Sequence, residues 1–246
     1  GTQNATLSGL TITGTYGDGI TLNPLRSSAD HKGSGILSAT DNVTINDISV
    51  TDAGRMGIAF VSVDGASVSD IDITNVGLDT FDVESDQGNE GSQDVTINGC
   101  TASSTGAGDF FADGGAGSGK STGSITVENC TMTEAQAGTV IWVNRPTNGI
   151  VPRGPYLFEN DTFDCGSSTT VACVIVNGAT VTVQDSSLSF PGTIPAETVY
   201  SAADGTTLDF TEDDVSGYGT TSTDGPGTVD STSTVTVAGG TWTPAG

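Results

Sequence analysis

The sequence predicts an all-β solenoid, a coil of short strands, and three observations support that prediction. A pattern of apolar residues recurs nine times, bend-forming residues interrupt the copies at the same place, and a further apolar segment follows several copies at a constant distance. Repeats with periods of roughly 20 to 50 residues are typical of solenoids. Because the pattern runs from Ala5 to Trp242, we predict a single domain over residues 1–246.

Each copy has two pairs of alternating apolar residues separated by two variable positions. Alternation with period two is the pattern of a strand that buries one face. The variable positions hold pairs such as Asn46-Asp47 and Ser69-Asp70, and Asn, Asp and Gly tolerate the left-handed backbone of a sharp bend. A copy is therefore predicted to form strand, bend, strand. The nine copies begin at Ala5, Val43, Ala66, Val95, Ile125, Tyr156, Val181, Leu208 and Val235.

A third strand is predicted eight residues after the last apolar position of a copy. Its inward residues are expected to be the pairs Ile20/Leu22, Ile58/Phe60, Phe81/Val83, Phe110/Ala112 and Val140/Trp142. In the sixth turn the third strand resumes three residues late, at Val174. The prediction is about eight turns with three short strands per turn.

This pattern resembles the right-handed parallel β-helix of the pectate-lyase-like superfamily over residues 4–243. The resemblance implies a right-handed coil, as does the handedness rule for parallel crossovers. It also implies that the third sheet and its flanking loops carry any functional site. The motifs of the polygalacturonase type are absent, namely Asn-Thr-Asp, Asp-Asp, Gly-His-Gly and Arg-Ile-Lys. The resemblance therefore predicts an architecture and leaves the reaction open.

The candidate site is the acidic stretch 79–86, which forms part of the third strand. Asp82 and Glu84 alternate with the apolar Phe81 and Val83, so the two carboxylates face away from the core. One interpretation is a solvated face of an acidic protein, and the other is a catalytic or metal site.

Register along the coil predicts which acidic residues meet. Glu84 is expected beside Asp113, Asp82 beside Phe111, and Asp109 beside Thr80 and Thr139, about 4.8 Å apart. Two close carboxylates either share a proton or bind a cation. The candidate catalytic residues are Asp82, Glu84, Asp109 and Asp113, and the candidate Ca²⁺ ligands are Asp79, Glu84, Asp86 and Asp113.

Basic and aromatic residues supply the candidate substrate contacts. All six Lys and Arg residues precede residue 154, so Arg55, Lys120 and Arg145 either form a binding face or pair with local carboxylates. Phe111 is expected to point outward, where it stacks against a sugar ring or is covered by a loop.

The charge balance restricts the partners. With 30 acidic and 6 basic residues the net charge is −24, which repels nucleic acid and anionic membranes. It also disfavours polyanionic glycans unless a bound cation reverses the local field. A neutral polysaccharide or Ca²⁺ fits the sign of the charge. No apolar run reaches the roughly 20 residues that span a bilayer, so no membrane insertion is expected.

The four cysteines favour an extracellular protein. Cys165 and Cys173 bracket a short insertion and are expected to form a disulfide. Cys100 and Cys130 occupy the same interior position on successive turns, where a disulfide and a reduced buried pair are both consistent with the sequence.

Two functions follow from these patterns. The first is a secreted carbohydrate-active protein, a hydrolase or a lyase, that uses the acidic stretch. The alternative is a non-enzymatic structural or adhesive subunit. The repeat extends to Ala5 and Trp242 without a helical cap, which is compatible with end-to-end stacking of copies into fibres.

Overall fold

The computed structural model of the chain describes residues 3–23, 25–26, 36–38, 40–84, 92–103, 108–114, 123–133, 139–144, 153–166, 172–190, 198–219 and 226–245. Within these ranges the ordered elements are all β-strands. The strands are β1 Thr6–Thr13, β2 Ile20–Leu22, β3 Leu25–Arg26, β4 Ile36–Ser38, β5 Thr40–Thr51, β6 Ile58–Val61, β7 Val63–Thr74, β8 Phe81–Glu84, β9 Gln93–Ser103, β10 Phe111–Asp113, β11 Ile125–Glu128, β12 Thr131–Thr133, β13 Ile141–Val143, β14 Arg153–Glu159, β15 Thr162–Asp164, β16 Val174–Asn177, β17 Ala179–Gln184, β18 Ser187–Ser189, β19 Tyr200–Ala203, β20 Thr207–Thr211, β21 Asp214–Tyr218, β22 Gly227–Val229, β23 Thr234–Ala238 and β24 Thr241–Pro244.

Two long parallel sheets form the coil. The first sheet has 14 strands and contains the first and second strands of every repeat. The second sheet has eight strands, one per turn, in the order β2-β6-β8-β10-β13-β16-β19-β22. The described pairings are parallel except for the short pair β3–β4. The predicted all-β parallel solenoid is therefore confirmed.

The bends between the first and second strands have the predicted backbone. Asp47, Asp70, Asn129 and Asn160 have φ angles of 55° to 57°, in the left-handed region that Asn and Asp tolerate. In β5 and β7 the strand continues around this bend, so the first two predicted strands of these turns are one continuous strand in the structure. In the later turns the two strands are separate, as in β11 and β12.

The third strand follows the predicted register only as far as β8. Phe111 pairs with Phe81, and Ile141 pairs with Phe111, whereas the sequence pattern places Phe110 and Val140 at these positions. The corner before β10 and the corner before β13 each hold one residue more than the corner before β8. Because side chains alternate along a strand, a shift of one residue exchanges the inward and outward faces.

Phe111 therefore points into the core, and its predicted role as an outward substrate contact is wrong. It is fully buried, and its ring packs against the rings of Tyr156 and Phe158 at centroid distances of 6.1 Å and 5.3 Å. Phe110, at the preceding corner, is also buried and packs edge-on against Phe81.

Polar groups occupy one interior position of the first sheet in successive turns. Cys100 and Cys130 fill it first and form a disulfide, which decides between the two sequence-based alternatives. Asp161, Ser186 and Asp213 follow, and all three are buried. The second predicted disulfide, Cys165–Cys173, is also present.

Each of these polar side chains accepts a backbone hydrogen bond from the turn before it. The Cys130 N–H donates to Asp161 Oδ1 at 2.8 Å, the Asp161 N–H to Ser186 Oγ at 3.1 Å, and the Ser186 N–H to Asp213 Oδ1 at 2.8 Å. Asp161 Oδ2 is buried and makes no hydrogen bond of ordinary length and angle. Burial raises the pKa of Asp161 to about 8, against the lowering effect of the Cys130 N–H and the weaker effect of the Glu159 N–H.

Candidate functional site

The corner that leads into the second sheet brings Asp79 and Asp109 together. The Asp109 N–H donates to Asp79 Oδ1 at 2.7 Å, so these residues lie side by side on successive turns. The register predicted from the sequence placed Asp109 beside Thr80 and Thr139. The extra residue in the corner before β10 places Asp109 beside Asp79 instead. Burial raises the pKa of Asp79. Burial and the charge of Asp79 raise the pKa of Asp109 to about 7.

Close packing at Gly108 holds this corner together. A Cβ atom at Gly108 would lie 2.5 Å from the Leu78 carbonyl carbon, so a larger residue would separate the two turns. The same arrangement occurs earlier in the coil, where the Met56 N–H donates to Asp18 Oδ1 at 3.3 Å. Asp18 and Asp79 therefore share a structural role as acceptors for the next turn.

Asp82 and Glu84 form the second part of the site, on the outward face of β8. Asp82 is only 5% exposed, whereas the Glu84 side chain is 46% exposed. Burial, together with the charge of the neighbouring Glu84, raises the pKa of Asp82 to about 8. Asp82 Oδ2 is buried without a hydrogen-bond partner, so the protonated form of this carboxyl is favoured near neutral pH, next to the accessible carboxylate of Glu84.

Asp113 lies on the other side of the sheet, so its expected position beside Glu84 is wrong. It points into the coil, is fully buried, and accepts a hydrogen bond from Tyr156 Oη at 2.6 Å. The register shift that turns Phe111 inward also turns Asp113 inward, two residues along the strand. Asp113 reaches the site only through its charge, which contributes to the raised pKa of Asp82.

Arg55 links the acidic residues of neighbouring turns. Its Nη2 atom lies 3.8 Å from Glu84 Oε1, and its Nε atom lies 3.6 Å from Asp18 Oδ1. The arginine side chain is 51% exposed, so the pairing with local carboxylates leaves part of its surface open to a ligand.

The remaining predicted residues are Asp86, Lys120 and Arg145, which lie outside the described residues. Among the residues that are described, no group of three or more His, Cys, Asp or Glu side chains is arranged to hold a metal ion. The Ca²⁺ site remains a prediction.

Trp142 belongs to this face, although the sequence pattern predicted that it points inward, as it did for Ala112. It pairs with Ala112 on one side and Ile175 on the other, in the outward row that also contains Asp82. The indole is partly exposed. The segment Val140-Ile141-Trp142-Val143 is apolar throughout, so alternation could not identify its inward residues. The signal that could have identified the inward residues is the corner before β13, which holds one residue more than the corner before β8.

Comparison with known proteins identifies the family. The family model described as a right-handed beta helix region matches residues 1–163. The searches of curated proteins and of solved structures gave no match. No helix in the described part of the chain has the length and apolar character needed to cross a membrane. The two disulfides suggest an extracellular or secreted protein. The matched segment covers more than half of the chain and lies within the observed coil, and the chain therefore belongs to the right-handed β-helix family.

Proposed function

We propose that this β-helix domain acts on a polysaccharide at the outward face of its second sheet, and that Asp82 and Glu84 exchange protons with the substrate. One observation carries the proposal: Asp82, a nearly buried carboxyl whose pKa is raised by burial, shares the outward face of β8 with the accessible carboxylate of Glu84. A β-helix domain is compatible with a carbohydrate-active or a structural role, and this pair favours the first.

The pair supplies general acid–base chemistry. Hydrolysis of a glycosidic bond requires proton donation to the leaving oxygen, and elimination requires proton abstraction from a ring carbon. Retaining and inverting glycosidases separate their two carboxyl groups by about 5 to 9.5 Å. Asp82 and Glu84 lie two residues apart on one face of a strand, roughly 6.8 Å between their Cα atoms. The two would act together in proton exchange, with Glu84 as the member that the substrate reaches.

Charge favours a neutral polysaccharide. The net charge of −24 repels a polyanionic glycan, and Arg55 is the cation that the described structure places at the acidic pair. Bound Ca²⁺ would reverse this preference, because it would add positive charge at the carboxylates.

The experiment compares two site variants with a matched control. Purified wild type, Asp82→Asn and Glu84→Gln are incubated with a panel of neutral and acidic polysaccharides, with Ca²⁺ and with chelator. Reducing ends report hydrolysis, and ultraviolet absorbance of unsaturated products reports elimination. Asp209→Asn is the control, because Asp209 faces outward on β20 in the other sheet. We expect both site variants to lose at least about 100-fold in turnover and the control to retain it. Turnover equal to wild type in both site variants would refute the proposal.

A structural subunit is the second candidate, and exposed core residues favour it. Leu10 in the first turn is 41% exposed, and Val229 and Val237 in the last turns are 45% and 46% exposed, although their positions are interior ones. A second copy stacked on these turns, like further turns of a longer chain, would cover them and continue both sheets. Negative-stain microscopy at high protein concentration, with and without Ca²⁺, tests this candidate. Ordered fibres would support it, and discrete single coils under both conditions would exclude it.

A further inference from the structure

The outward face of the second sheet continues beyond the acidic pair as an uncharged surface. After Asp82 the outward row runs through Ala112, Trp142, Ile175 and Ser201. A parallel row two residues along contains Asn144 and Asn177, which lie on adjacent strands. From the acidic pair as far as Ser201, the described residues of these two rows carry no acidic side chain, which is unusual in a protein with a net charge of −24. Such a surface suits a ligand that is uncharged.

Trp142 provides a flat apolar platform on this surface. A Cβ atom at Gly114 would lie 3.0 Å from Trp142 Cζ3, so the six-membered ring lies against the preceding turn where the glycine leaves space. The indole is partly exposed, so part of its apolar surface remains open to a ligand. One face of a sugar ring is formed by C–H groups, and burying that face against an aromatic ring is favourable.

Amide and hydroxyl groups border the platform. Asn177 Nδ2 donates to Asn144 Oδ1 at 3.2 Å, which fixes the orientation of both amides. A side-chain amide has two donor hydrogens and an acceptor oxygen with two lone pairs, so this single bond leaves capacity for ligand hydroxyls. Further along, Thr228 Oγ1 and Ser201 Oγ are 3.2 Å apart and extend the row with hydroxyls.

We infer that the patch of Trp142, Asn144, Ile175, Asn177 and Ser201 is a binding subsite for a neutral glycan, whose ring stacks on the Trp142 indole while its hydroxyls bond to the two asparagine amides. The inference rests on the proposed function, because it assigns the substrate class of the same face. Asp82 and Trp142 lie two strands apart, about 9 to 10 Å. A glycan chain that follows the coil axis would therefore place one sugar on the platform and a later one at the acidic pair.

Affinity electrophoresis in gels containing a neutral polysaccharide (glucan, mannan, xylan or galactan) or polygalacturonate tests the subsite. We expect at least one neutral polysaccharide to retard the wild type. Trp142→Ala should weaken that binding roughly tenfold, and Trp142→Phe, which retains an aromatic face, by no more than about threefold. Leu157→Ala is the matched control, since Leu157 is a partly exposed apolar residue facing outward on β14 in the other sheet. Circular dichroism and thermal unfolding confirm that each variant is folded.

The binding and turnover measurements separate the two proposals. If Trp142→Ala binds as tightly as wild type, or if no neutral polysaccharide binds, the subsite is refuted, whatever Glu84→Gln does to turnover. If Trp142→Ala loses binding but wild type shows no turnover on any substrate, the subsite stands and the catalytic proposal fails. Binding should also change less than about twofold between roughly 0.1 M and 1 M NaCl, because neither partner surface is charged. A steep salt dependence would contradict a neutral ligand.

Discussion

Replacing Asp161 by Asn should change how the stability of the coil depends on pH. The folded-state pKa of about 8 exceeds the ordinary value of 3.8, so Asp161 takes up a proton on folding wherever the pH lies between these values. The free energy of unfolding should consequently fall as the pH rises from about 4 to about 8. Asparagine has no proton to take up, and its Oδ1 can still accept the Cys130 N–H.

The change in the free energy of unfolding depends on the difference between the pH and 3.8, the ordinary pKa of an aspartate. Protonating a carboxyl above its ordinary pKa costs about 1.4 kcal/mol for each pH unit. At pH 7 the protonation of Asp161 on folding therefore lowers the free energy of unfolding of the wild type by about 4 kcal/mol. Asp161→Asn should be more stable than wild type by up to that amount at pH 7, and the two should be equal near pH 4. Denaturant unfolding at constant ionic strength, repeated from pH 4 to pH 8, measures the difference.

Asp213→Asn is the contrasting variant. Both oxygens of Asp213 accept backbone hydrogen bonds, from the Ser186 N–H at 2.8 Å and the Thr211 N–H at 2.9 Å. An asparagine would place an NH₂ group against one of these donors, so Asp213→Asn should be less favourable than Asp161→Asn by about 1 to 3 kcal/mol at neutral pH. If the Asp161→Asn and wild-type stabilities stay parallel across the pH range, the assignment of a buried neutral carboxyl is wrong.

Two further predictions concern the core and the surface. Phe111→Ala should lower the free energy of unfolding by about 3 to 5 kcal/mol because it removes a fully buried ring, and a loss below about 1 kcal/mol would restore the outward orientation that the sequence pattern suggested. Raising NaCl from about 0.1 M to about 1 M should raise the melting temperature, because salt screens repulsion within a chain of net charge −24, and a salt-independent melting temperature would contradict this.

Much of the architecture could be predicted from the sequence, because the same pattern of alternating apolar residues and a bend-forming residue recurs in successive turns. The first strands alternate strictly, as in Val43 and Ile45, and Asp47 or Asn129 stands where the backbone needs a left-handed residue. Each copy supports the prediction for the next, since successive turns stack in register.

The site was harder to predict because it depends on single residues in the corners. Phe110 and Phe111 are both apolar, so alternation allowed either to point inward, and the choice reversed the face of Asp113. The same ambiguity between Val140 and Ile141 reversed the face of Trp142. The inward Asp113 also breaks the rule that strand interiors are apolar, and the Tyr156 hydroxyl from a later turn helps to make its burial tolerable. Contacts of that kind are not visible in local sequence.

The Cys100–Cys130 bridge limits how far the coil can open. Each turn of a solenoid contacts only its neighbours, so opening starts at one end and passes from turn to turn. Two turns joined by a covalent bond cannot separate, and opening from either end stops at this pair. The joined turns are those that carry Ala112 and Trp142, and amide hydrogen exchange should therefore be slowest there. The proposed binding face would stay folded while the outer turns fray.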